Sequence, residues 1–202
     1  RMNEEIMRFS SSWFYDGKVK AAPITAHRGI LDYDTPIEWV DDVANDDETV
    51  GETFVGETFG RINKVEARQV MELLQAYFEK IGKQRIIDES IDVGIISPYR
   101  AQVQYLRHLI KKEAFFKPFR HLLSVNTVDG FQGQERDVII VSLVRSNNDG
   151  QIGFLRDLRR MNVAMTRARS KLIIIGDHET LAHHEFYKKL YEYIKKHKTD
   201  NF

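Results

Sequence analysis

Nine residues, "TVDGFQGQE" (127–135), separate two apolar runs and carry more polar groups than a turn between strands needs. Gly130 and Gly133 would let backbone N–H groups come close to an anion. The Thr127 hydroxyl can bond a phosphate oxygen. Glu135 repels phosphate but suits a ribose hydroxyl or a basic partner. Downstream, "RRMNVAMTRARSK" (159–171) is a basic run interrupted by Val163, Ala164 and Met165, which would seat a helix on a sheet and turn some arginines outward. A planar guanidinium makes paired contacts to phosphate, so Arg167 and Arg169 are candidates for a triphosphate or a nucleic-acid backbone. Upstream, "SPYRAQ" (97–102) sets Pro98, Tyr99 and Arg100 where a strand gives way to a helix, and helix N-termini attract phosphate. An aromatic ring at that place offers a stacking face for a base. Taken singly, the loop also reads as an ordinary connection and the basic run as a solvated helix.

Those groups need a scaffold. Apolar runs at 93–97, 122–128, 137–144 and 171–177 read as strands, with a shorter one at 37–40. Helical periodicity marks 3–14, 63–81, about 100–112, about 155–166 and the closing "HHEFYKKLYEYIKK". Asn63 is placed to cap the second of these and Gly82 to end it. Strands that are apolar throughout, alternating with helices, predict an α/β fold with a mainly parallel sheet covered on both faces. Ligands of such sheets gather at the carboxyl ends of the strands, which is where the polar motifs are expected.

Composition narrows the classes. The 202 residues suit one domain, spanning 1–202, with no cysteine for a disulfide or thiolate metal site and no predicted metal cluster. No apolar run is long enough to cross a bilayer, and the absence of cysteine fits a cytoplasmic setting. The zero net charge is unevenly distributed. Ten Asp or Glu and no Lys or Arg fall between Asp32 and Gly60, which leaves 30 basic against 20 acidic residues elsewhere. The basic remainder can receive a polyanion. Residues 41–60, with "VGETF" at Val50 and again at Val55, read as an acidic, mobile surface excursion. "RIIDES" at Arg85 imitates a magnesium-binding acidic motif but precedes a strand and reads as a surface turn. Neither a G-x-x-x-x-G-K-[ST] loop nor a G-x-G-x-x-G turn is present.

The order "SPYRAQ", "TVDGFQGQERDVIIVSLVRSN", "NVAMTRARSKLIIIGD", preceded by "RMNEEI", "FYDGKVKAAP" and "NKVEA", resembles the C-terminal RecA-like lobe of superfamily 1 DNA/RNA helicases of the Upf, Senataxin and Dna-two-like, AAA-type branch. The resemblance covers nearly the whole chain. It implies a P-loop NTPase fold lacking the phosphate loop itself, in a piece of a longer protein. It also implies ATP and Mg2+ as cofactors, with the Mg2+ ligands in a missing N-terminal RecA-like lobe, and single-stranded DNA or RNA as partner, tracked 5′→3′. By resemblance, Arg1 and Arg167 reach the γ-phosphate, and Gly133 and Glu135 lie beside the γ-phosphate and ribose. Ser97, Pro98, Tyr99, Arg100, Thr127 and Asp129 contact the single strand. Asn3 stands where the family usually has histidine. The lobe alone is expected to be inactive as an ATP hydrolase. A non-catalytic nucleic-acid-binding or scaffold module with a retained helicase fold is the alternative, and a nuclease a weaker third for want of a carboxylate–lysine cluster.

Overall fold

The middle of the sheet is formed by β4 (Val93–Ile96), β6 (Arg136–Ser142) and β7 (Ala168–Ile175), whose polar residues are confined to Arg136, Asp137, Ser142, Arg169, Ser170 and Lys171. The computed structural model describes residues 2–57 and 60–199. Outer strands β1 (Ile37–Val40) and β5 (Leu123–Asn126) complete the order β1-β7-β6-β4-β5, with every pair parallel. Ile95, Ile140 and Ile173 stand abreast in register, and so do Ile96, Val141 and Ile174. Because side chains alternate across a strand, the first row meets one layer and the second row the other.

One layer consists of α1 (Glu4–Phe14), α5 (Leu158–Met165) and α7 (Glu185–Thr199), packed on Ile96, Ile139, Val141, Leu172 and Ile174. The opposite layer consists of α2 (Lys64–Ile81), the short α3 (Lys83–Asp88), α4 (Arg100–Lys112) and a 3₁₀ stretch, Ala114–Leu122. It covers Val93, Ile95, Val138, Ile140, Ile173 and Ile175. The Asn63 side chain accepts from the Glu66 amide to start α2, and Gly82, at φ +91°, ends it. Asn3 starts α1 in the same way: its Oδ1 accepts from Glu5 N at 2.9 Å while its Nδ2 donates to Arg28 O at 2.7 Å.

Four expectations change. "RIIDES" is not a turn: its first residues belong to α3, where Ile86 is fully buried and holds the segment helical. The helix expected over 155–166 is two pieces, a 3₁₀ turn Gly153–Arg156 and then α5, because Asp157 restarts the helix by accepting from the Arg160 amide. The 41–60 segment contains strand β2 (Thr53–Val55), which pairs antiparallel with β3 (Gly60–Ile62). Several of its acids have fixed partners. Glu48 takes Arg68 at 2.6 Å, and Glu52 takes Arg61 at 2.7 Å and Arg145 at 3.0 Å. Finally, the polar motifs do not all lie at the carboxyl ends of the strands.

That last difference follows from topology. Strands β5 and β6 are parallel, so the connection from Thr127 to Glu135 must run from the carboxyl end of one back to the amino end of the other. It crosses over β4, which lies between them. Phe131, fully buried in a 3₁₀ turn (Val128–Phe131), is its anchor. A Cβ on Gly94 would come 2.8 Å from Phe131 Cε1 and 2.7 Å from Ile139 Cδ1, so only glycine lets the connection lie flat on β4. Thr127 and Asp129 therefore sit at one end of the sheet, and Gly133 and Glu135 at the other.

Candidate nucleotide and nucleic-acid interface

At the carboxyl edge, β4 ends in Ser97, Pro98 and Tyr99, and α4 opens on Arg100. The N-terminus of α4 has no side-chain cap, which leaves amide donors facing outward. The Arg100 side chain is exposed and makes no ion pair or hydrogen bond with another described residue. Pro98, Thr127 and Asp129 line one shared depression with Arg160 and Phe154. Asp129 is ion-paired with Arg160 at 3.3 Å, which brings a cation to this edge beside the carboxylate. Two predicted residues occupy a different place from that expected. Ser97 is fully buried, with its amide donating to Asn126 O at 3.3 Å. Tyr99 is 5% exposed: Phe154 stacks on it at 5.3 Å, and Arg145 Nη1 donates to its hydroxyl at 3.2 Å. The stacking face expected of Tyr99 is thus taken up inside the protein, and the exposed ring at this edge is Phe154.

At the amino edge, the Arg136 amide donates to Arg167 O at 2.9 Å, and Arg136 pairs in register with Ala168. This sets Glu135 and Arg167 side by side, just ahead of β6 and β7. The Arg167 guanidinium rests on neutral oxygens, Nε to Val163 O at 3.2 Å and Nη2 to Thr166 Oγ1 at 3.4 Å, and makes no ion pair with a described residue. Gly133 has φ +74°, with nothing within 4 Å of where a Cβ would stand, so its backbone is open to an approaching group. Gly130 is not: its amide donates to Thr127 O, and the Asn126 side chain lies against its Cα. Arg1 lies outside the described residues.

Arg169, two residues from Arg167, is committed elsewhere. Its Nη2 and Nε hold Asp92 Oδ1 at 2.9 Å and Asp137 Oδ1 at 3.1 Å. It is an internal tie between the starts of β4, β6 and β7, not a free phosphate ligand. A depression of about 550 Å³, lined in part by Asn3, Arg8, Arg28, Asp34 and Ser170, includes none of the predicted site residues.

Beneath the carboxyl edge lies a buried polar network. Glu66 Oε1 accepts from Ser142 Oγ and from Val144 N, both at 2.9 Å, and its Oε2 accepts from Asn63 Nδ2 at 3.0 Å. Gln102 joins α4 to it, accepting from Asn63 N at 3.1 Å and donating to Asn63 O at 3.0 Å. Burial, reinforced by the nearby Asp42 charge, pushes the Glu66 carboxyl up to about 8. Burial and the neighbouring Asp177 push Asp42 up to about 6. The network fixes the first turn of α4, and with it Arg100. The signal was present in "NKVEA", where a glutamate three residues after an asparagine cap has the spacing of a capping box.

Among the described residues no group of three or more His, Asp or Glu is placed to hold a metal ion, and no helix is long and apolar enough to cross a membrane.

A five-stranded parallel sheet layered by helices, with candidate ligand residues at both of its ends, defines a RecA-like α/β lobe. The chain belongs to the AAA domain family, whose profile matches residues 1–179. It is 39% identical over 197 residues to the DNA polymerase alpha-associated DNA helicase A of Saccharomyces cerevisiae, with 90% of this chain and 27% of that protein aligned. It is 36% identical to an uncharacterized ATP-dependent helicase of Methanocaldococcus jannaschii (96% of this chain, 28% of that one) and 35% identical to the helicase SEN1 of Saccharomyces cerevisiae (96% and 9%). The chain thus spans less than a third of the length of each. In fold it is similar to the C-terminal domain of a possible DNA helicase from Lactobacillus plantarum, with a TM-score of 0.51 and 14% identity over 88% of this chain and 86% of that one. The resemblance to the C-terminal lobe of superfamily 1 helicases stands on these similarities together.

Proposed function

We propose that this chain is the C-terminal motor lobe of an ATP-dependent helicase or translocase, presenting Arg167 to a triphosphate and its carboxyl edge to a single strand of DNA or RNA. The observation that carries this reading is the connection 127–135. One segment bears Thr127 and Asp129 at the strand edge and Gly133 and Glu135 at the other, where the Arg136–Arg167 hydrogen bond sets Glu135 beside Arg167. The helicases that match the chain support it.

In this reading ATP lies against the amino edge, held mainly by the N-terminal lobe, which also supplies the Mg2+ ligands. Glu135 accepts from a ribose hydroxyl, and the open backbone at Gly133 faces the terminal phosphate. Arg167, free of any carboxylate among the described residues, swings from its two neutral acceptors to the γ-phosphate, and Arg1 joins it. Phosphoryl transfer depends on positioning and charge more than on covalent chemistry, and an arginine delivered in this way contributes roughly 10³–10⁵ in rate. At the opposite edge Arg100, Thr127 and the α4 amides take the strand backbone, with Ser97 and Tyr99 holding that edge in place. Alone, the lobe hydrolyses ATP negligibly.

The test is Arg167→Ala in the full-length protein. Strand-stimulated ATP turnover should fall by about 10³-fold or more, with strand affinity unchanged. Undiminished turnover would refute the assignment. Strand binding without any ATP turnover in the wild type would favour the scaffold reading.

A further inference from the structure

We propose that Phe154 is a base-stacking residue of the single-strand track, and that the cleft between it and the β2–β3 hairpin receives one nucleotide of that strand. The inference rests on the reading of the carboxyl edge as a nucleic-acid surface.

Phe154 is 64% exposed, yet its position is closely determined. Its ring lies on the buried Tyr99 ring at 5.3 Å and 27° between planes. The residue before it, Gly153, has φ +52°, and a Cβ there would fall on Arg145 Nη1 and 2.9 Å from the Tyr99 hydroxyl. Only glycine lets the backbone press onto the Tyr99–Arg145 pair and lay the next ring over it. Arg145 is itself buried and held by Glu52 at 3.0 Å, and Glu52 also takes Arg61 at 2.7 Å and Asn147 Nδ2 at 2.6 Å. An ion-pair chain, buried at Arg145 and half-buried at Glu52 and Arg61, therefore ties the support of the ring to β3, where Arg61 sits. A phenyl ring kept in water needs no such support. One that must meet a planar partner at a fixed height does.

The ring stands between two depressions. On one side lie Pro98, Thr127 and Asp129. The second is a cleft of about 520 Å³ lined by Gly60, Arg61, Tyr99, Arg100, Gln104 and Phe154 itself. Its size falls within the ~300–1,000 Å³ of small-molecule sites. A strand held by its phosphates at Arg100 and the α4 amides brings a base against the ring. Gln104, one turn farther along α4 and exposed, offers an amide to a base edge. Gly60 matters to the shape of the cleft: a Cβ there would come within 3.0 Å of Ala101 Cβ, so the hairpin can pack this close to α4 only with glycine. Stacking of this kind tolerates any base, as a track requires.

The test compares full-length wild type, Phe154→Ala and Phe154→Tyr in equilibrium binding. The probes are fluorescein-labelled oligothymidylate and oligouridylate and an equally long oligomer of abasic deoxyribose phosphates. Phe154→Ala should weaken binding of the base-bearing probes by about 5- to 150-fold, leave the abasic probe unaffected, and be rescued by Phe154→Tyr. Equal binding of all probes by Phe154→Ala and wild type overturns the stacking role while leaving the track reading intact, and so does equal weakening on base-bearing and abasic probes. Failure of the wild type to bind any single strand overturns both.

Discussion

Replacing Glu66 with glutamine probes the network that fixes α4. The carboxyl is fully buried, and burial pushes it from an ordinary 4.5 to about 8. The folded-state value lies above the unfolded one, so between these limits the native protein keeps a proton that the unfolded chain has released. The resulting stability is complete below the unfolded value and is lost as pH rises through the folded one. Each pKa unit is worth about 1.4 kcal/mol, which sets an upper limit of about 5 kcal/mol for the whole interval. Asp42, pushed up to about 6, adds a smaller loss of the same sign. Glutamine cannot ionise, so Glu66→Gln removes the larger contribution. It introduces a different cost, because its amide nitrogen would replace the oxygen that accepts from Asn63 Nδ2 at 3.0 Å. Two donors would then face one another in a buried site, at about 1–3 kcal/mol. The variant should therefore be less stable than wild type near pH 4, and the two stability curves should cross between about pH 5 and 7, leaving the variant the more stable at about pH 8–9. Urea midpoints at several pH values, read at constant slope, give the comparison. Parallel curves, with wild type losing no more stability than the variant as pH rises, would refute both the raised pKa and the account of how the network is charged.

Gly94→Ala should cost about 1–3 kcal/mol in urea denaturation, because its Cβ must displace Phe131 and Ile139. A loss under about 0.5 kcal/mol would show that the connection does not press on β4. The two neighbouring arginines should separate by assay. Arg169→Ala should lower stability by about 1 kcal/mol, a figure discounted for the partial exposure of its ion pairs. Arg167→Ala should stay within about 0.5 kcal/mol of wild type; the reverse order in thermal shift would overturn both assignments. Tyr187→Phe removes the 2.6 Å bond from its hydroxyl to Leu155 O and should cost about 1 kcal/mol. That variant should also weaken strand binding by loosening the turn that carries Phe154; unchanged affinity would show the turn to be held by other contacts.

The sheet was readable in advance because β4, β6 and β7 are buried on both faces and so lack the polar alternation that would blur their limits. The ends of α2 were readable because Asn63 and Gly82 act through their own backbone geometry. What escaped depends on partners distant in sequence. Tyr99 looks like a surface aromatic until Phe154 and Arg145, some fifty positions on, are placed over it. Arg167 and Arg169 share a residue type and a neighbourhood, and only the strand register decides that the second meets Asp92 and Asp137. The placement of Gly133 and Glu135 away from the carboxyl edge follows from strand order, with β4 between β5 and β6, which local pattern does not reveal. Glu52 and Glu57 occupy the same place in the two "VGETF" copies, but the first is a half-buried anchor and the second is exposed.

The passage from Thr127 to Glu135 is coiled rather than drawn out, with a 3₁₀ turn over Val128–Phe131. The buried Phe131 ring pins it midway, so the pin and not tension fixes its course across β4. Under the proposed function, a strand that shifted Thr127 would be felt at Glu135 and Arg167 only if Phe131 moved with it. A smaller side chain at position 131 would then leave both ends in place and let them move independently.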